Sequence, residues 1–222
     1  MKSKLSPSIM CADPLHMKKD LDVLAQEGVD YFHCDIMDGH FVPNLMLSTE
    51  TIKAVKQAYQ IPMDIHIMSD QPEKVLQWLP FGEGDLVSIH YESTPHVDWV
   101  LRQIEERGAI PALAIRPDTA LHVILPFLPR IGMLLLLTVQ PGFAGQKMVP
   151  GSLERIQQAR QMMDEAGRPD IMLEADGNCS LENIPKMEAA GADIFVVGTS
   201  SAFSKVHGLK KGLAMTRACL KK

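Results

Sequence analysis

Apolar and polar positions follow a repeated rhythm along this chain. A short apolar run is followed by a polar loop, an amphipathic segment closed by Gly or Pro, and then another apolar run. Eight runs stand out: Leu5–Met10, Asp30–Ile36, Ile61–Met68, Leu86–Tyr91, Ile110–Ile115, Ile131–Val139, Ile171–Ala175 and Ile194–Val197. Each is short and most are rich in Ile, Val, Leu or Met, the pattern of strands buried on both faces. The segments between them predict helices. Asp13-Pro14, Ser48 ahead of Glu50, Asp70 ahead of Pro72 and Glu73, and Ser180 ahead of Glu182 read as helix starts, since a short side-chain oxygen can accept from the free N–H groups of a first turn. Gly28, Gly108, Gly167 and Gly191 fall where helices should close in the left-handed conformation. Glu27-Gly28-Val29-Asp30, Glu83-Gly84-Asp85 and Ala190-Gly191-Ala192-Asp193 each lead into a strand, an echo of a β/α unit rather than a solenoid repeat.

Eight strands alternating with helices, without a composition break or a linker, predict an α/β fold: one (β/α)8 TIM barrel domain over residues 1–222. A doubly wound open sheet would favour a Gly-rich turn after the first strand, where this chain has Met10-Cys11-Ala12-Asp13. At about 150 residues per domain the length also suits one large domain. Charge narrows the partners. There are 22 Lys and Arg against 27 Asp and Glu, a formal net charge of −5, which argues against a basic nucleic-acid footprint or a polybasic membrane patch. Ile131–Val139 is the longest apolar stretch and falls well short of a membrane span, and Pro7 interrupts the N-terminal apolar residues. The four cysteines form no C-x-x-C pair, so a soluble, reduced, cytoplasmic protein is expected.

In such a barrel, function gathers at the C-terminal ends of the strands. The second run carries His33 and Asp35, two apart and so on one face, and the third carries His66 near its end. The seventh ends in Glu174-Ala175-Asp176-Gly177. Two imidazoles and two carboxylates from three strand ends can converge on one point. That set suits a divalent metal such as Zn2+, Mn2+, Fe2+, Co2+ or Mg2+, with positions left open for substrate. His90 has no neighbouring carboxylate on its strand and reads as a buried polar residue of the core or behind the site. After the sixth run, Thr138-Val139-Gln140-Pro141-Gly142-Phe143-Ala144-Gly145-Gln146 holds two glycines that free backbone N–H groups to face an anion. Asp176-Gly177-Asn178 and Gly198-Thr199-Ser200-Ser201 follow at the neighbouring strand ends. Three such turns in adjacent loops predict a phosphate site.

The run Asp35-Ile36-Met37-Asp38-Gly39-His40-Phe41-Val42-Pro43-Asn44 closely resembles the signature of the ribulose-phosphate 3-epimerase family. Ser6-Pro7-Ser8-Ile9-Met10, His66-Ile67-Met68, the Pro-Gly-Phe-Ala-Gly-Gln loop and the late Val-Gly-Thr-Ser match it in order, so the resemblance covers nearly the whole chain. It implies a barrel that inverts C3 of a phosphorylated ketose with one bound divalent metal. By resemblance His33, Asp35, His66 and Asp176 are the metal ligands, and Asp35 and Asp176 the acid/base pair. Ser8 and His66 join Gly142, Phe143, Ala144, Gly145, Asp176, Gly177, Asn178, Gly198, Thr199 and Ser200 around the substrate. Met37, Met68 and Leu137 line the apolar side, Leu137 standing where the family usually has a third Met. A homo-oligomer, dimer or hexamer, is implied as well.

Two departures bear on the substrate. Pentose-phosphate members usually read Asp-Gly-Gly and Gly-Ser-Ala where this chain has Asp176-Gly177-Asn178 and Gly198-Thr199-Ser200. With Phe-His-x-Asp on the second strand and Asn-Leu-x-Leu-Ser in the following loop, these look more like the D-allulose-6-phosphate 3-epimerase branch. The expected reaction is D-allulose 6-phosphate to D-fructose 6-phosphate, the alternative D-ribulose 5-phosphate to D-xylulose 5-phosphate. A sugar-phosphate lyase using a Schiff base needs an activated strand-end lysine, and only Lys147 lies plausibly near the site. A non-catalytic sugar-phosphate sensor would not need both Asp35 and Asp176.

Overall fold

Strand and helix alternate throughout the computed structural model, which describes residues 2–221. Among these residues are nine strands: β1 (Lys4–Pro7), β2 (Phe32–Asp38), β3 (Leu45–Met46), β4 (Met63–Met68), β5 (Leu86–His90), β6 (Ile110–Ile115), β7 (Met133–Leu137), β8 (Met172–Asp176) and β9 (Ile194–Val197). Eight run parallel in the order β1-β9-β8-β7-β6-β5-β4-β2. A parallel bridge between Ser8 and His33 joins the end of β1 to β2 and closes the ring. The fold is therefore the (β/α)8 barrel, each parallel strand overlapping one of the eight apolar runs, with β1 beginning one residue before its run and β2 and β8 extending two and one residues beyond theirs. β3 is the addition. It folds back antiparallel on β2, Met46 opposite Met37 and Leu45 opposite Asp38, and two residues are too few to leave a periodic signal.

The helices are α1 (Met17–Gln26), α2 (Thr49–Ala58), α3 (Pro72–Val75), α4 (Val97–Glu106), α5 (Ser152–Glu165), α6 (Ile184–Ala190) and α7 (Leu209–Cys219). Ser48 caps α2 as expected, its Oγ accepting from Thr51 N at 3.2 Å. The other three expected starts shift. Asp13 accepts from Leu15 N in a turn and α1 begins only at Met17; α3 begins at Pro72 behind Gln71; Ser180 accepts from Asn183 N and α6 begins at Ile184. Short polar side chains close an isolated turn as readily as they open a helix, so they mark the turn and leave the helix start to packing. Between β6 and β7 the chain forms a 3-10 segment, Leu121–Phe127, instead of an α-helix; Pro126 within it has no N–H to give. Gly28, Gly108, Gly167 and Gly191 all take positive φ just beyond a helix, as their positions predicted.

Alternation along each strand divides the interior in two. Cys34, Ile36, Ile65, Ile67, Val87, Ile89, Leu134 and Leu136 face outward into the main core under the helices. Leu86, Ala112, Ala114, Met133, Leu135, Leu137 and Ile194 fill part of the barrel lumen. Register stacks the rest of the lumen in layers: His33 opposite Asp64, Asp35 opposite His66, Met37 opposite Met68. Polar side chains below and sulfur above thus rise toward the barrel mouth. Among the described residues no helix is long and apolar enough to cross a membrane.

Candidate active site and metal centre

β2, β4 and β8 bring His33, Asp35, His66 and Asp176 together, with ligand-type atoms all within 4.8 Å of one another. Asp35 Oδ1 lies 3.3 Å from both His33 Nε2 and His66 Nδ1. Asp176 Oδ2 lies 3.9 Å from His33 Nε2 and 3.5 Å from His66 Nδ1. Both ring nitrogens aimed into the cluster are buried and make no hydrogen bond. Orphaned polar atoms inside a barrel are costly unless something meets them, and a divalent ion accepts from two imidazoles and two carboxylates at once. The residues fit such an ion.

The surroundings orient these groups. His33 Nδ1 lies 2.6 Å from Asp64 Oδ2 and donates its proton there, which leaves the Nε2 lone pair facing the cluster. Ser6 Oγ donates to the same carboxylate at 2.7 Å, and Ser8 Oγ donates to Asp35 Oδ2 at 2.6 Å. Asp64 was legible two residues before His66 on one face, yet its role emerges only from its register partner, His33. Glu174 is fully buried beside Asp64; burial, and then the Asp64 charge, raise its carboxyl well above the ordinary range. The residue left open in the sequence is thereby separated from its neighbour: Asp176, not Glu174, reaches the cluster with the two imidazoles.

The two cluster carboxyls are driven apart. Burial pushes Asp35 up, but the imidazoles of His33 and His66 outweigh it and leave it well below the carboxylate range. Burial and the Asp35 charge raise Asp176 to about 6. His33 is pulled the other way: burial disfavours its cation, yet Asp64 and Asp35 hold it well above its ordinary value. The anionic neighbours call for positive charge at this point, which a proton or a metal ion can supply.

Above the cluster opens a cavity. Its walls include Ser8, Met37, Met68, Leu137 and Asp176, together with every expected loop position: Gly142, Phe143, Ala144, Gly145, Gly177, Asn178, Gly198, Thr199 and Ser200. His66 is fully buried beneath it and is not part of the wall. Cys11 lines the cavity without having been singled out, and Val139 and Gln146, the flanks of the glycine loop after the sixth run that were given no contact of their own, line it as well. Asn178 takes a left-handed φ of 46°, and its Nδ2 donates to Gln146 O at 2.6 Å, tying two of the small-residue turns together. Asn44 Nδ2 donates to Gly142 O at 2.7 Å, tying the loop after β2 to the same rim. The turn after β9 closes through Ser201 N and Phe203 N on Gly198 O, without a helix at that point.

The sequence profile of the Ribulose-phosphate 3 epimerase family matches residues 4–203. The chain is 32% identical over 215 residues to the ribulose-phosphate 3-epimerase of Bacillus subtilis (strain 168), covering 93% of this chain and 99% of that one. It is 33% identical over 197 residues to the ribulose-phosphate 3-epimerase of Escherichia coli (strain K12), covering 88% and 87%. Among solved structures, 3-hexulose-6-phosphate synthase superposes with a TM-score of 0.63 at 13% identity, covering 98% of this chain and 100% of that one. A mutant tryptophan synthase α-subunit of Pyrococcus furiosus gives 0.66 at 10% identity, covering 99% and 98%. At such identities the structural likeness speaks for the barrel alone.

Proposed function

The chain belongs to the ribulose-phosphate 3-epimerase family and, with its relatives there, is an isomerase of sugar phosphates; we propose that it inverts C3 of a D-ketose phosphate, converting D-allulose 6-phosphate to D-fructose 6-phosphate. One observation carries the reaction type: two carboxyls, Asp35 on β2 and Asp176 on β8, meet two orphaned imidazole nitrogens at the floor of a cavity rimmed by three small-residue turns.

Inversion next to a ketone needs a group that removes the C3 proton and a second that returns one to the opposite face. Asp35 and Asp176 stand on strands that are not neighbours in the barrel, so they can flank a substrate lying between them. Asp35, held ionised, takes the proton in one direction. Asp176, raised to about 6 by burial and the Asp35 charge before an ion binds, delivers one from the other side, and the roles exchange in reverse. His33, Asp35, His66 and Asp176 would hold a divalent ion, which would supply Lewis-acid stabilisation for negative charge on the ketose oxygens. The two imidazoles favour Zn2+, Mn2+, Fe2+ or Co2+ over Mg2+. Ser8, bonded to Asp35, orients that carboxylate and the sugar end. Met37, Met68 and Leu137 keep water from the reacting carbons, and the turns at Gly142–Gly145, Gly177–Asn178 and Gly198–Ser200 hold the phosphate. The reading includes one barrel domain over residues 1–222, a homo-oligomer, and a reducing cytoplasm suited to four free cysteines.

The six-carbon substrate is supported by the Gly177-Asn178 and Gly198-Thr199-Ser200 turns. The names of the relatives favour a second reading, D-ribulose 5-phosphate to D-xylulose 5-phosphate. The test is kcat/KM for both ketose phosphates on one metal-loaded preparation. A higher value for allulose 6-phosphate is expected, and a higher value for ribulose 5-phosphate selects the second reading. In D2O the product should gain deuterium at C3. Asp176→Asn with its metal retained and epimerisation at the native rate overturns the two-carboxyl assignment.

A further inference from the structure

We infer that Glu92 and His90 are positioning residues for the metal centre: a hydrogen-bond relay from Glu92 through His90 decides which ring nitrogen of His66 carries its proton. The inference rests on the metal reading above and extends it beyond the four ligands.

The relay is read from its acceptor end. Glu92 Oε1 accepts from Arg116 N at 2.9 Å and from the Thr119 hydroxyl. An oxygen that meets a backbone N–H is an acceptor. Glu92 Oε2 lies 3.1 Å from His90 Nδ1, so this nitrogen carries the hydrogen and donates it. With Nδ1 protonated in a neutral ring, His90 Nε2 is an acceptor. It lies 2.9 Å from His66 Nε2, which must therefore be the donor. The hydrogen on His66 Nε2 leaves the Nδ1 lone pair pointing at Asp35 Oδ1 and Asp176 Oδ2, 3.3 and 3.5 Å away. Each link dictates the next, and a carboxylate outside the lumen thus sets the lone pair inside it.

The two imidazoles of the relay are buried, while Glu92 at its outer end is partly exposed. His66 and His90 are both fully buried, and their rings stack with centroids 5.0 Å apart. The Phe41 ring packs on His90 with centroids 4.8 Å apart, and the Arg116 guanidinium lies 4.3 Å over the Phe41 ring while donating to its carbonyl at 3.1 Å. At the buried link between the two imidazoles, no solvent molecule can satisfy a reversed hydrogen bond. His33 is oriented by one direct carboxylate, Asp64, whereas His66 reaches its carboxylate through a second imidazole.

Glu92→Gln is the sharp test because it keeps shape and reverses direction. The amide oxygen must take the Oε1 place, since the amide NH2 there would meet the Arg116 N–H. The NH2 then faces His90 Nδ1 and donates to it. His90 moves its hydrogen to Nε2, His66 Nε2 becomes an acceptor, and the metal-facing Nδ1 receives the hydrogen. Nitrogen-15 NMR of the His90 ring should find the hydrogen on Nδ1 in the native protein and on Nε2 in Glu92→Gln. Titration with Co2+ should show affinity about 10- to 100-fold weaker in that variant, the usual effect of losing an outer hydrogen-bond partner of a ligand. Glu92→Asp, which keeps an acceptor, should retain the native hydrogen placement. A His90 hydrogen on Nε2 in the native protein overturns the relay and needs no variant to fold. Native-like Co2+ affinity in a folded Glu92→Gln overturns it as well. Failure of the native protein itself to bind Co2+ counts against the metal reading, while the His90 hydrogen still reports on the relay.

Discussion

Gly177→Ala should damage this protein more than any exchange of similar size in its loops, because two separate penalties meet at one atom. Gly177 has a φ of 120°, a region L-residues rarely enter, and forcing one there costs about 1–3 kcal/mol. An added Cβ would also lie 2.7 and 2.8 Å from the two Val139 methyls and 2.8 Å from Thr138 Oγ1. Overpacking of that kind costs about 1–3 kcal/mol more. Thr138 and Val139 are buried, so they cannot simply swing away. The sum, about 2–6 kcal/mol, corresponds at about 2–4 °C per kcal/mol to a Tm lower by about 4–24 °C. Relief by a shift of the turn would carry Asp176, the preceding residue, away from the imidazoles, so metal affinity should fall together with kcat. Gly28→Ala is the control: it too has positive φ, 64°, but nothing lies within 4 Å of the added Cβ, and it should lose only the backbone part. Calorimetry and a metal titration on both variants give the answer. Equal, small Tm losses would show that packing does not hold this turn, and the reasoning would fail.

Chelation should abolish epimerisation and a divalent ion should restore it, while His33→Ala or His66→Ala should lose metal and turnover together; full activity in a sample shown metal-free by elemental analysis refutes this. Gly145→Asp should raise KM for phosphorylated substrates by placing a carboxylate at the rim, in a position where an added Cβ meets only Thr199 Oγ1, 3.9 Å away; an unchanged KM in a folded variant moves the phosphate elsewhere. Gly212→Ala should destabilise without touching the cavity, since its Cβ would collide with the Ala202 carbonyl and force α7 off the loop after β9; a native Tm measured by calorimetry would contradict that close approach.

The barrel and its polar floor were legible for different reasons. Strands buried on both faces show as unbroken apolar runs, and eight of them alternating with amphipathic segments leave few other architectures. His33 and Asp35 were legible because period two puts them on one face, and the Asp35–Asn44 signature gave the ligand set its meaning. Helix starts were less legible. Asp13 and Ser180 mark turns, Asp70 stands one residue before the cap of α3, and where the helix then begins depends on which residues can dock on the sheet.

Sequence by itself determined the fold class, the strand ends where imidazoles and carboxylates gather, and the small residues that leave backbone free at the rim. These are local properties, written in periodicity, in residue type and in the need for glycine at positive φ. Tertiary structure decided which polar residue answers which. Register, not spacing, set Asp64 against His33 and buried Glu174 beside it, leaving Asp176 to meet the imidazoles. Likewise His90 could be read from its strand alone only as a buried polar residue of the core or behind the site, because its partners come from β4 on one side and, through Glu92, from Arg116 and Thr119 beyond β6 on the other. A hydrogen bond between strands depends on distance across the barrel, and one strand's sequence carries no record of that distance.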